Sequence, residues 1–151
     1  MHIPDMGEHL GSALAEVLET MFFTYVLEAL DSGGIPAGTA AISSRLNFRG
    51  VPSGVFEIAI PMDAARTLAA GFLGEDETEI SGKETGEVVC ELANMLCGSF
   101  LSRIGALSTF ELSHPEIVEA PKVASEAADA CACFELPEGP LSLALRFENA
   151  V

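Results

Sequence analysis

Along the N-terminal part of the chain, apolar residues recur at intervals of three and four: Leu10, Leu14, Val17, Leu18, Met21, Phe22 and Tyr25. That spacing lines one face of a helix and predicts one from Glu8 to about Leu30. Gly33, Gly34 and Pro36 close it. The period then changes to two. Ala40 to Phe48 and Val55 to Ile60 read as strands, and Arg49-Gly50-Val51-Pro52-Ser53-Gly54 between them is turn chemistry, so the pair is a hairpin. Phe56, Ile58 and Ile60 stand two apart and mark the buried face. Pro61 ends this strand, and a shorter helix follows from Met62 to Phe72, stopped by Gly74.

Glu75 to Glu79 is an acidic linker, read as a solvated loop. Ser81 and Glu84 then have the spacing of a capping box, and the helix they open runs to about Ile104. After Gly105 the pattern returns to strands: Ser108 to Ser113, Ile117 to Ala120, Val123 to Leu136 and Leu141 to Phe147. Pro115, Pro121, Pro137 and Pro140 punctuate them. Which short segments pair is not fixed by pattern alone. Hairpin-type connections imply an α+β fold, an antiparallel sheet covered on one side by long helices. A faint internal repeat accompanies it. Glu16-Val17-Leu18-Glu19 opens the apolar run of the first helix much as Glu87-Val88-Val89-Cys90-Glu91 opens that of the second, and strands follow each. Two helix-plus-strands units account for this, and so does a chance likeness of two amphipathic helices.

The 151 residues fit one domain spanning 1–151. Apolar residues at 49% against 20% charged describe a globular chain. With 7 Lys+Arg against 23 Asp+Glu, the formal charge is −16. A nucleic-acid binder needs cations to displace counterions, and an anionic membrane repels such a surface, so neither partner is expected. A partner with a basic patch is favoured. No run approaches the ~18 apolar residues of a membrane-spanning helix, and Met1-His2-Ile3-Pro4-Asp5 lacks a signal-peptide start, which reads as a cytoplasmic protein.

The helix from Lys83 to Ile104 carries the informative face. At about 100° per residue, Val89, Leu92, Ala93, Leu96, Phe100 and Ile104 fall on one side. Glu84, Glu87, Glu91, Asn94, Gly98, Ser102 and Gly105 fall on the other. A solvated face carries long charged side chains throughout. Here the second half offers only Gly98, Ser102 and Gly105, which cost helix propensity, up to ~1 kcal/mol per Gly. Such residues suit a position where another backbone approaches closely, either a second element of the same chain or a docking partner. Glu91 and Asn94, three apart, stand together. The carboxylate can pair with a lysine, and the amide can donate and accept hydrogen bonds without changing charge. They anchor a partner and orient a water more readily than they supply nucleophile, acid and base.

Other chemistries lack their spacing. Gly82-Lys83-Glu84-Thr85 has no upstream phosphate-loop glycine, and no Gly-x-Ser-x-Gly is present. His2, His9 and His114 have no partnered spacing. Cys90 and Cys97 sit seven apart on a helical pattern, and Cys131 and Cys133 share one face of a strand. They read as core or surface thiols, with no CxxC and no paired His to suggest a metal.

Glu91-Leu92-Ala93-Asn94, followed by Gly98 and, after twenty intervening positions, by Pro115, resembles the signature helix of the CheC/CheX/FliY phosphatases of bacterial chemotaxis. Glu19-Thr20-Met21-Phe22-Phe23 on the opening helix, the turn Phe48 to Gly54, and Ile60-Pro61-Met62-Asp63-Ala64-Ala65 extend the likeness over nearly the whole chain. The resemblance implies a phosphatase acting on the aspartyl-phosphate of a CheY-like response regulator. Glu91 would pair with the regulator's phosphate-site lysine and Asn94 would orient the attacking water. Glu87, Gly98 and Ser102 would dock the partner. Magnesium would belong to the regulator, with no cofactor or metal of the chain's own. Two-site relatives carry a second Glu-x-x-Asn on the opening helix. Here Phe22 stands where that amide would be, which implies one site, as in the CheX-like branch. Glu87 stands where the family often has Asp or Ser. A homodimer with paired strands is also implied, with Leu141 to Phe147 as a candidate edge. Two readings compete with the phosphatase: a non-catalytic module that docks a receiver domain or motor component, and a thiol or metal sensor built on Cys131 and Cys133.

Overall fold

The computed structural model describes residues 5–30, 34–105, 109–119 and 128–148. Its order is α1 (Met6–Val17), a π-helical turn (Leu18–Phe22), β1 (Glu28–Leu30), β2 (Ala41–Arg49), β3 (Ser53–Pro61), α2 (Met62–Leu73), α3 (Gly82–Ile104), β4 (Glu111–Leu112), β5 (Glu116–Val118), β6 (Ala130–Leu136) and β7 (Gly139–Glu148).

All seven strands join one antiparallel sheet in the order β1-β6-β7-β3-β2-β4, with β5 also pairing β2. The pairings map onto themselves when β1, β2 and β3 are exchanged for β5, β6 and β7, with β4 outside the exchange. The expected α+β fold is what forms. One sheet face carries Ile42, Leu46, Phe48, Phe56, Ile58, Ile60, Leu141, Leu143 and Leu145, and these share a single core with the buried sides of the helices. Phe56, Ile58 and Ile60 face inward, two apart, as the alternation requires. The other sheet face is thinner. Val55 and Ala144 pack there with Ala128, beside an ion pair in which Arg45 Nε lies 2.6 Å from Glu57 Oε2.

Two expectations are corrected and a third is refined. The opening helix does not reach Leu30. It widens into the π turn, and Phe23 takes a left-handed φ of 56°. Beyond it Thr24 is buried and donates to both carboxylate oxygens of Glu138, at 2.9 and 3.0 Å, which holds the chain on the sheet so that Glu28–Leu30 pair with β6. The aromatic and branched residues Tyr25-Val26-Leu27 suit extended backbone as well as helix. Second, β7 is no edge. It lies between β6 and β3, and the sheet ends at β1 on one side and at β4 and β5 on the other. Leu141, Leu143 and Leu145 alternate with Ser142, Ala144 and Arg146, which fixes the core-facing side of β7 but not its place in the sheet. Third, the acidic linker carries a short 3₁₀ turn at Glu77–Glu79, capped by Asp76, whose carboxylate accepts from Thr78 N at 3.0 Å. Of the long strand expected from Val123, residues 123–127 lie outside the described residues, and β6 begins at Ala130.

α3 starts as the sequence requires. Glu84 N donates to Ser81 Oγ at 3.0 Å, and Ser81 N donates to Glu84 Oε1 at 3.1 Å. This reciprocal cap satisfies two backbone donors at the N-terminus of α3. Replacing Ser81 with Ala is expected to cost about 1 kcal/mol of stability, read as a shift in the urea midpoint at unchanged slope.

Candidate functional site

α3 is buried along Val88, Val89, Leu92, Ala93, Leu96, Cys97, Phe100 and Leu101. The opposite arc is open. Glu87, Glu91 and Ser102 are exposed, while Asn94 and Gly98 are half-buried. With about 100° between successive residues, these five lie within roughly a quarter of the helix circumference. The arc expected from periodicity therefore exists, and it presents Glu91 and Asn94 side by side. Among the described residues neither side chain has a hydrogen-bond or ion-pair partner. Their polar groups are left available to an incoming partner.

The small residues of this arc divide into two kinds. A Cβ at Gly105 would meet the Phe110 ring at 3.0 Å, so that glycine is explained inside the chain. A Cβ at Gly98 would meet nothing within 4 Å. Among the described residues no neighbour requires glycine there.

Asn94 and Gly98 open onto a groove of ≈ 660 Å³ between α1 and α3, lined also by Glu16, Thr20, Ser99, Ser102 and Arg103. Arg103 Nη2 lies 2.7 Å from Glu16 Oε2, and Ser99 Oγ donates to the same oxygen at 3.1 Å. The hydrogen bond from Arg103, then that from Ser99, holds the Glu16 carboxyl below its usual range. The latch is thus complete above the ordinary carboxylate pKa and loosens as pH falls through the lower folded-state value. Periodicity could not find this wall, because it depends on which helix lies against α3. The signal that was present is Arg103 itself, a lone cation in the last turn of an acidic helix. Phe22, expected at the position of a second amide, is core. It is buried and stacks on Phe72 with ring centroids 4.8 Å apart.

The thiols stand apart from this arc. Cys131 and Cys133 do share one strand face, opposite Ala144 and Ser142 on β7, on the side of the sheet away from the helices. Burial first, then the neighbouring Cys133 and Glu57, raises the Cys131 thiol, and burial pushes Cys97 up to about 12. Both shifts disfavour the thiolate that redox or metal chemistry uses. Among the described residues no three His, Cys, Asp or Glu side chains are grouped to hold a metal ion. No described helix is long and apolar enough to cross a membrane.

A family model described as chemotaxis phosphatase CheX matches residues 42–137, a span that includes all of α3, and the chain belongs to that family. A search of curated proteins returned no match. Among solved structures, the chemotaxis protein CheX from Vibrio vulnificus superposes with a TM-score of 0.73 at 19% identity, over 95% of this chain and 97% of that one. CheX from Desulfovibrio desulfuricans gives 0.72 at 16% identity, over 95% and 99%. The CheX chain of a CheX–CheY–BeF3–Mg complex from Borrelia burgdorferi gives 0.71 at 21% identity, over 96% and 99%. At such identities the likeness is one of fold.

Proposed function

We propose that this protein hydrolyses the aspartyl-phosphate of a CheY-like receiver domain, with one active site on α3. The observation that carries the reading is the outward pair of Glu91 and Asn94, both without partners among the described residues, on the arc that also holds Gly98 and Ser102. Membership of a phosphatase family supports it, as does the complex that a relative of the same fold forms with CheY. Glu91 pairs with a lysine at the receiver's phosphate site. Asn94 enters that pocket and holds a water in line with the phosphorus. The water oxygen bonds to phosphorus as the bond to the aspartyl oxygen breaks. The receiver regains its carboxylate, and inorganic phosphate leaves. So sparse a site suffices because phosphoryl transfer needs positioning and charge stabilisation more than covalent help from the catalyst. Magnesium is held by the receiver and completes that stabilisation.

The test is to load a CheY-type receiver with acetyl phosphate in magnesium, add this protein, and follow loss of the phosphorylated form. Accelerated loss supports the reading. A complex that never shortens the phosphate lifetime sinks it and leaves a docking module.

Gly98 gives a second prediction, with opposite signs for folding and docking. Gly98→Ala puts a methyl into open space within a helix and is expected to gain up to ~1 kcal/mol of stability. Gly98→Leu keeps the fold but holds the receiver off the helix, raising KM about tenfold, a loss of about 1.4 kcal/mol. Thermal unfolding and initial-rate kinetics on the same preparations check both signs.

A further inference from the structure

Arg103 is the one cation among the residues lining the groove into which Asn94 opens. Its guanidinium is placed rather than loose. Nη2 is fixed by Glu16, and Glu16 is fixed in turn by Ser99, so α1 holds the arginine against the wall of α3. The two side chains are 34% and 57% exposed, and an ion pair this wet adds little to folding. Its main consequence is positional. A guanidinium has five N–H donors in a rigid fork, and the contact with Glu16 occupies one end of that fork. The remaining donors are left for an acceptor that enters the groove. Nine residues separate Asn94 from Arg103, about 13 Å along the helix axis and half a turn around it, and the two meet only as linings of the groove against α1. A partner segment that enters the groove beside Asn94 meets Arg103 at its other end. Near Asn94 the arc is acidic, with Glu87 and Glu91 exposed. Arg103, paired with Glu16, brings a cation to the groove beside that arc.

We infer that Arg103 is a specificity-determining docking residue, selecting receivers that carry a carboxylate on the segment that enters the groove beside Asn94. This rests on the reading that a receiver docks over Glu91 and Asn94. The partner's complement is thus two-signed: a lysine at the phosphate site and an acid on the segment that enters the groove. A receiver with a basic residue at the second position is rejected by like charge, although its phosphorylated pocket is the same.

The experiment measures kcat, KM and receiver binding with an acetyl-phosphate-loaded CheY-type receiver, for the parent, Arg103→Ala, Arg103→Lys, Glu16→Gln and Asn94→Ala. Arg103→Ala is expected to raise KM and the dissociation constant about tenfold while kcat stays within twofold, since a contact equal in ground and transition states acts on binding alone. Arg103→Lys, which keeps the charge and loses the fork, falls between. Glu16→Gln keeps the arginine, frees it from its internal partner, and lowers KM. The Glu16 and Arg103 variants break the same latch, so their melting temperatures move in the same direction while their KM values move apart. Unchanged KM and binding in Arg103→Ala, or equal increases in Arg103→Ala and Glu16→Gln, reduces the pair to a structural latch and overturns the inference. Those results leave the phosphatase reading intact if hydrolysis still depends on Asn94. A protein that binds without hydrolysing overturns the phosphatase reading alone, because Arg103 is then read from the dissociation constants. One that neither binds nor hydrolyses overturns both.

Discussion

Asn94→Ala is expected to return a phosphorylated receiver to its unassisted lifetime, lowering kcat about a hundredfold or more, some 2.7 kcal/mol of barrier. The magnitude follows from what one amide can do. Holding a water within reach of phosphorus and in line with the leaving oxygen converts a rare encounter into a standing arrangement. Alanine keeps the helix, since its propensity exceeds that of asparagine, and it leaves no buried group unpaired. Asn94 has no hydrogen-bond partner among the described residues and sits half-buried at the edge of its groove. Stability should therefore hold or rise slightly. Receiver binding should persist, because the proposed pairing of Glu91 with the receiver's lysine is left intact. A stopped-flow or radiolabel measurement of phosphate release, with affinity measured in parallel, separates the outcomes. Full activity in the variant would remove Asn94 from the mechanism. Loss of binding together with rate would make it a docking residue.

Glu91→Gln separates the other half of the site. It removes the charge and keeps the shape, so it acts on pairing with the lysine. KM should rise with a salt dependence weaker than that of the parent, because screening acts on the charge pair that has been removed. Asn94→Ala leaves that salt dependence unchanged. The two variants therefore fail in different measurements, which a single deformed helix would not produce.

How much of this was legible in the chain depends on the range of the interaction involved. α3 was readable almost whole. Its cap is a three-residue relation between Ser81 and Glu84, and its open arc follows from a period of 3.6. The β2–β3 hairpin was readable for the same reason, with Phe56, Ile58 and Ile60 alternating between the ends marked by Gly54 and Pro61. The end of the opening helix was not, because what holds Thr24 is Glu138, 114 positions away. The central place of β7 was hidden likewise. An alternating run of that length looks the same at an edge or between two strands, and only its pairing with both β3 and β6 decides. At the candidate site, Glu91, Asn94, Glu87, Gly98 and Ser102 were found from one helix. Glu16, Thr20 and Ser99 were missed because they matter only once α1 lies beside α3. Gly105 illustrates the converse. On the wheel it belonged with the docking residues, whereas Phe110 covers it.

The counterpart of Asn94→Ala is Phe100→Ala, which is expected to remove stability and spare chemistry. Phe100 has no exposed surface and is among the largest fully buried side chains, on the side of α3 turned away from Asn94. Truncating a buried phenylalanine forfeits its transfer energy and leaves a cavity that neighbours fill only in part, about 3–5 kcal/mol together. Against the ~5–15 kcal/mol that holds a domain of this size, that is a large share. The thermal midpoint should fall by about 10 °C or more. The denaturant midpoint should fall at unchanged slope, since the same surface is exposed on unfolding. Below the new midpoint the folded fraction should still release phosphate at close to the parent kcat, because Glu91 and Asn94 lie on the opposite arc and are anchored by the capped end of the helix rather than by this ring. A kcat that collapsed while the protein stayed folded would mean that the reactive pair depends on the packing beneath it to within a fraction of an ångström. The site would then be a property of the whole core and not of one outward face.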